Sequence, residues 1–289
     1  MMRYIRRIRL QTIVPFIAFF AIFIFFLIAS GGGMVSSYNL TKLIDQSMII
    51  IVIGCGTLFV VAQGCIDLSV GVNLALSGAI SMWVIKTTEL NWLLIPVLIL
   101  VGGIVGAFNG LIISKLKVPS FMHTIAMLIG VRGIVKLIQI ETDLIYLPSS
   151  MRFLSETGPK IAMFLVIIVV MGYLFEFTRV GRYSQAIGEN EVTAQNVGVP
   201  VVKMKIIAFT LSGAMAGLAA LFSILTIGGT SQTMGSFTEM KVAMAVFLGG
   251  VLITGGSSAK IYKVLLGSLS ITIIVNGLAI IGVPQTEVS

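Results

Sequence analysis

Apolar residues in this chain come in long runs, not in alternation. Nine such segments can be drawn, at 10–30, 44–62, 68–85, 92–114, 121–139, 161–177, 204–227, 240–254 and 264–283. A helix needs about 20 apolar residues to cross the hydrocarbon core of a bilayer. The pattern therefore predicts an all-α polytopic membrane protein with about nine spans, forming one transmembrane domain over 1–289. Most connections are short. The exceptions are 140–160, which mixes charges with Pro148 and Pro159, and 178–203, which is polar throughout.

Composition agrees with the runs. Hydrophobic residues make up 57% of the chain and charged ones 10%, and the mean hydropathy is +1.08. Soluble domains carry about 25% charged residues, so a water-solvated globule is excluded, and the apolar excess excludes intrinsic disorder. The net charge of +8 reflects a shortage of acids. Beside apolar spans, Lys and Arg act as topology signals and not as a nucleic-acid patch. With a cytoplasmic N-terminus, the inside segments hold Arg3, Arg6, Arg7, Arg9, Lys115, Lys117, Arg179, Arg182, Lys203, Lys205, Lys260 and Lys263. The outside segments hold only Lys42, Lys86, Arg152, Lys160 and Lys241, which favours that orientation. Arg132 and Lys136 fall within the fifth span. The basic N-terminus and the run from Ile13 to Ala29 read as an uncleaved first helix, because many spans follow.

Cys55 and Cys65 are ten residues apart in one apolar stretch. On a helix that is about 15 Å, too far for a disulfide, so both read as packing residues. A faint repeat links Asn109-Gly110-Leu111, followed by Val118-Pro119, to Asn276-Gly277-Leu278, followed by Val283-Pro284. The first copy leads into another helix and the second into Gln285 to Ser289, so a tenth span is expected to be missing.

Few groups here carry chemistry. Asp67, in Gly64-Cys65-Ile66-Asp67-Leu68-Ser69-Val70-Gly71, lies between two apolar runs with almost no loop. A carboxylate in hydrocarbon must be paired, wetted or placed at a helix end. It reads either as a cap for the next helix or as a group lining or gating a pore. His123, the only histidine, has no carboxylate near it in sequence and reads as a polar core or interface residue. Glu176, Glu239 and Lys241 read as interfacial anchors at span ends. In 178–203, Glu191 to Asn196 predicts a short helix with Asn190 as its cap and Gly198 as its break. Such a helix between spans suits docking of another protein, the alternative being a plain solvated loop. The sequence contains no Gly-x-x-x-x-Gly-Lys-Ser/Thr phosphate loop, nucleophile elbow or His-Glu-x-x-His motif. If ATP drives this protein, another chain binds it.

Together these blocks resemble the permease subunits of bacterial ATP-binding-cassette importers, in the ribose/autoinducer-2/branched-chain amino-acid permease family. Four ordered blocks carry the resemblance: Gly64 to Gly71, with Cys65 as an extra residue; Val118-Pro119-Ser120-Phe121 with Thr124 and Arg132-Gly133; Gly181-Arg182 through Asn190-Glu191 to Gly198; and Ala245-Val246-Phe247-Leu248-Gly249-Gly250 with Gly255-Gly256. The resemblance implies a non-catalytic, multi-pass subunit of the bacterial inner membrane with no cofactor of its own, ATP and magnesium residing on a partner. The implied partners are a cytoplasmic ATPase subunit, a periplasmic or lipid-anchored solute-binding protein, membrane lipid, and a second permease subunit, identical or not. The implied solute is small and polar, a sugar or sugar-like molecule. The implied coupling residues are Gly188, Asn190, Glu191, Ala194 and Gly198, and the implied path or gate residues are Asp67, Ser69, Asn109, His123 and Glu239. Val192, Thr193, Gln195 and Lys241 depart from the family's usual residues, which puts docking strength and the outer rim in question. One rival is an ion-driven secondary transporter that pairs Asp67 with His123. Another is a membrane scaffold with no transport role.

Overall fold

The computed structural model describes residues 2–142 and 145–283. Their order is α1 (Met2–Ala29), α2 (Ser37–Ala62), α3 (Val70–Thr88), α4 (Leu94–Leu116), α5 (Ser120–Thr142), α6 (Thr157–Phe177), α7 (Arg179–Glu189), α8 (Glu191–Asn196), α9 (Val201–Ile227), α10 (Thr238–Leu248) and α11 (Ile261–Ile280). Seven helical stretches among the described residues are long and apolar enough to cross a membrane, and Ile13–Ala29 is a shorter apolar helix. The chain is therefore a polytopic helical membrane protein. The only β pairing among those residues is an isolated bridge between Tyr146 and Gly229.

Two segments differ from the pattern reading. The eighth apolar run, 240–254, is helical only over α10. Eleven residues rise about 16 Å, roughly half the hydrocarbon core. Gly249 and Gly250 end the helix, with Gly250 at φ +84°, a left-handed conformation that glycine adopts freely. The polar connection 178–203 is mostly helical. It contains α7 as well as the expected short helix, and buries Gly181, Ser184 and Ile187 at helical spacing. In the repeat, Asn276-Gly277-Leu278 lies in α11, while Pro284 and the residues after it lie outside the described ones.

α2, α3 and α9 form the buried centre, while α5 and α6 remain largely exposed on its flank. A helix with apolar residues all round belongs inside a bundle. The tightest contact is between α4 and α9. A Cβ on Gly102 would run into the Gly213 carbonyl, one on Gly106 into the Phe209 carbonyl, and one on Gly217 into the Leu98 carbonyl. Small residues let membrane helices approach this closely, and dispersion then holds them. Asn73 of α3 closes the crossing, its Nδ2 donating to the carbonyls of Gly102 at 3.1 Å and Gly213 at 3.4 Å.

The neighbouring glycines make a direct test. Gly103 has room for a methyl group, its nearest neighbour being a Thr210 methyl at 3.8 Å. Gly103→Ala should be nearly neutral. Gly102→Ala should destabilise the chain by about 1–3 kcal/mol through overpacking, read as a lower melting temperature in detergent. Equal melting of the two variants would contradict the close crossing.

Candidate functional site

Non-helical backbone at membrane depth survives only where protein or water satisfies it. Two such segments meet inside this bundle. The first is 63–69. Gly64, at φ +71°, turns the chain out of α2, and the next residues run inward to the start of α3. The first turn of α5 receives them: Ile66 N–H donates to Ser120 Oγ at 3.1 Å, and Thr124 Oγ1 donates to the Ile66 carbonyl at 3.4 Å. The second segment is 228–237, between α9 and α10. Gly229 pairs with Tyr146 at one end of the bundle. Six residues on, Gly235 presses against the Gly71 carbonyl in the first turn of α3. Arg132 of α5 fixes this descent by donating to the carbonyls of Met234 at 2.9 Å and Gly235 at 3.3 Å.

A polar chain runs through the first of these segments. His123 Nε2 lies 3.1 Å from Asn109 Oδ1. An amide oxygen only accepts, so the imidazole donates. Asn109 Nδ2 donates to Ser69 Oγ at 2.8 Å, and Ser69 Oγ donates to Asp67 Oδ1 at 2.6 Å. Asp67 also accepts from Ser69 N–H at 3.0 Å and from Ser212 Oγ at 2.9 Å. Every donor points towards Asp67, an arrangement that suits the carboxylate anion. Asp67 does not cap α3 in the usual way, since Ser69 holds the N-cap position and makes no side-chain cap bond. Asp67 instead holds that cap residue from behind. Four of the five residues predicted to line a path thus form one network, contributed by α4, α5 and the 63–69 segment, with α9 adding Ser212.

Glu239 stands apart from the network and is buried within the bundle. It is 6% exposed in the first turn of α10. A Cβ on Gly71 would strike its Oε2, which has no hydrogen-bond partner among the described residues.

Below the chain, a cleft of about 1450 Å³ opens towards α8, lined by Ile66, Ser120, Ile113, Lys117, Gln195 and Lys203 among others. The other predicted residues lie on its far side. Asn190 caps α8, its Oδ1 accepting from Thr193 N–H at 2.8 Å. Glu191 pairs with Lys205 at 2.8 Å. Ala194 is buried with Ile187, Val199, Val201 and Met204, which seats α8 on α7 and α9. Gly188 sits against the Ala62 carbonyl and Gly256 N, and Gly198 ends α8 at φ +88°. Ala194 and Gly188 therefore face inward. Val192 and Val197 are 67% and 73% exposed, and Val192 with Glu191 lines the cleft.

Comparison with known proteins places the fold in a family. Residues 39–289 match the family described as branched-chain amino acid transport system, permease component. The chain belongs to that permease family. The chain is 30% identical over 256 residues to the ribose import permease protein RbsC of Escherichia coli K12, covering 85% of this chain and 79% of that protein. It is 33% identical over 239 residues to the L-arabinose transport system permease protein AraH of the same strain, covering 80% and 72%. It is 28% identical over 284 residues to the fructose import permease protein FruG of Bifidobacterium longum, covering 90% and 81%. No solved structure matches. Permease components of this kind move solutes and are not catalytic enzymes.

Three functional-looking residues of the permease escaped the sequence reading: Asn73, Ser212 and Arg132 as a ligand of backbone carbonyls. Asn73 follows Ser69 by four residues, so a polar face on α3 was the available signal. Ser212 gave none, since a serine in an apolar helix most often bonds its own backbone.

The Asp67 network yields the second prediction. Asp67→Asn sets an amide donor against serine donors. It should leave the permease in the membrane, lower its thermal stability by about 1–3 kcal/mol, and change transport. Complete loss of the protein from the membrane would assign Asp67 to folding alone. A third prediction concerns Glu189 at the end of α7, whose Oε1 accepts from Ser257 N–H at 2.7 Å and Ser257 Oγ at 2.6 Å. These bonds hold its carboxyl below the ordinary value of 4.5. Its contribution is complete above that ordinary value and is lost as pH falls through the lowered one. Hydrogen exchange at the Ser257 amide should accordingly be slow, relative to its intrinsic rate, at neutral pH and lose that protection as pH falls below the ordinary carboxyl value, through the lowered one.

Proposed function

We propose that this permease is the membrane subunit of an ATP-driven importer in a bacterial inner membrane, and that it forms part of the path for a sugar. ATP and magnesium would belong to a separate cytoplasmic ATPase, which grips the α7–α8 corner. A solute-binding protein would deliver the sugar at the opposite end, and a second permease subunit would complete the path. The observation that carries the ATP-driven reading is α8: a helix capped by Asn190, ended by Gly198, seated by Ala194 and leaving Val192 and Val197 exposed. A capped helix seated on α7 and α9, with Val192 and Val197 left exposed, suits docking of a partner more than a solvated loop does. The sugar is supported by the relatives that import ribose, arabinose and fructose. A chain of imidazole, amide, hydroxyl and carboxylate also suits a polyhydroxylated solute, which needs placed polar groups to shed its water. The ion-driven alternative is less well supported, because Asp67 and His123 connect only through Ser69 and Asn109.

Co-purification with the ATPase encoded beside this chain tests the reading. The wild type should retain the ATPase. Gly198→Pro should lose it, because proline cannot take the left-handed φ at that position. Glu191→Lys should weaken it by setting two lysines against each other. A wild-type permease that retains no ATPase would set the importer reading aside.

A further inference from the structure

α10 is a half-helix with a polar group at each end. Its N-terminal turn holds Glu239 against Gly71, at the start of α3. Its C-terminal end is tied by Lys263, whose Nζ donates to the Gly250 carbonyl at 2.9 Å and to the Ser258 carbonyl at 3.0 Å. Lys263 thereby ties the residue that follows the α10 cap to the 255–259 turn. Ser258 Oγ stiffens the same turn, accepting from Leu252 N–H at 3.1 Å and donating to the Gly255 carbonyl at 2.9 Å. That turn is held in its turn by α7. Glu189 takes two bonds from Ser257, and Gln185 Nε2 donates to the Ala259 carbonyl at 3.0 Å. Gln185 and Glu189 are four residues apart, hence on one face of α7. α8 is seated on α7 through Ala194 and Ile187.

We infer that Gln185 and Glu189 are positioning residues that carry movement of the α7–α8 corner, through the 255–259 turn and α10, to the first turn of α3. The inference rests on the proposed ATPase docking at α8. The links at Gln185, Glu189 and Lys263 are hydrogen bonds, α8 meets α7 by apolar packing, and the Glu239 side chain of α10 lies against Gly71. Three residues before α3 begins, Asp67 anchors the polar chain. α2 offers a competing route, because Gln63 Nε2 donates to Ser184 Oγ at 3.0 Å and to the Met204 carbonyl at 3.1 Å. α2 is packed along most of its length, and interiors packed that way move as one body. α10, by contrast, is an eleven-residue element packed closely on α11 and joined to the 255–259 turn through Lys263.

Met240, 47% exposed on α10, provides the reporter. Both native cysteines are buried, so Met240→Cys gives a labelling site with little background. The experiment uses the complex of this chain with its ATPase in proteoliposomes and compares maleimide labelling with and without ATP. ATP should change the labelling rate in the otherwise wild-type complex. Gln185→Ala with Glu189→Ala should reduce that ATP response by about tenfold, within the usual range of coupling between sites, while ATP hydrolysis persists. Glu189→Gln should largely keep the response, since an amide oxygen can still accept both Ser257 bonds. If the double variant does not assemble, Ser257→Ala, which removes only the hydroxyl bond, decides by the same measurement. An unchanged response in the variants, no response in a wild type that holds its ATPase, or loss of response in Gln63→Ala alone would overturn the inference. A wild type that binds no ATPase would instead overturn the proposed function.

Discussion

The architecture depends on how closely α4 and α9 approach. Their glycines bring backbone against backbone, and in lipid such contact must come from packing, because lipid tails do not drive apolar surfaces together. Asn73 can bridge both helices only because the two carbonyls lie that near. Once α3 is fixed there, its first turn has a set depth. The 63–69 segment must then cover the remaining distance to α2 as extended backbone, and α5 must supply Ser120 and Thr124 to satisfy it. The polar chain from His123 to Asp67 lies in the space so defined.

Much of this was readable from residue order. Long apolar runs specify helices in hydrocarbon, and the expected short helix at Glu191 to Asn196 appears with the cap and glycine break its residues imply. Asp67 and His123 could be named from their polarity in apolar surroundings, and the family resemblance added Ser69 and Asn109. Their connection could not be read, because hydrogen bonds between α4, α5 and 63–69 depend on helix rotation and depth, which a one-dimensional pattern does not hold. α10 was read as a full span for a related reason: Val251, Leu252 and Ile253 continue the apolar run after the helix has ended at Gly249. Hydropathy records solubility in lipid, whereas the helix end is set by a left-handed glycine and by Lys263. Glu239 was read both as an interfacial anchor and as an implied path residue, and Lys263 as a cytoplasmic loop charge. Each is instead buried against backbone.

The two broken elements are complementary. One enters from α2 and the other from α9, and their glycines, Gly71 and Gly235, touch. Discontinuous helices place backbone ends and polar side chains in the interior of membrane transporters, where continuous helices would offer only side chains. The same junction carries a buried carboxylate oxygen, Glu239 Oε2, with no hydrogen-bond partner among the described residues. The interior is therefore tightly packed at the level of α4 and α9 and polar at the level of α3 and α10.

The shortness of α10 bears on how the chain is built. A stretch of eleven helical residues is too short to partition into a bilayer alone. α10 must be received by surfaces already present. α2 and α3 precede it in synthesis. α11, which follows, meets it so closely that Gly267 lies against the Ala245 carbonyl and Gly249 against the Lys263 carbonyl. The two helices thus enter as a hairpin, the long one supplying the lipid solubility that the short one lacks. Biogenesis of this protein accordingly ends with an assembly step in which α10 is accepted by its neighbours and not by the membrane.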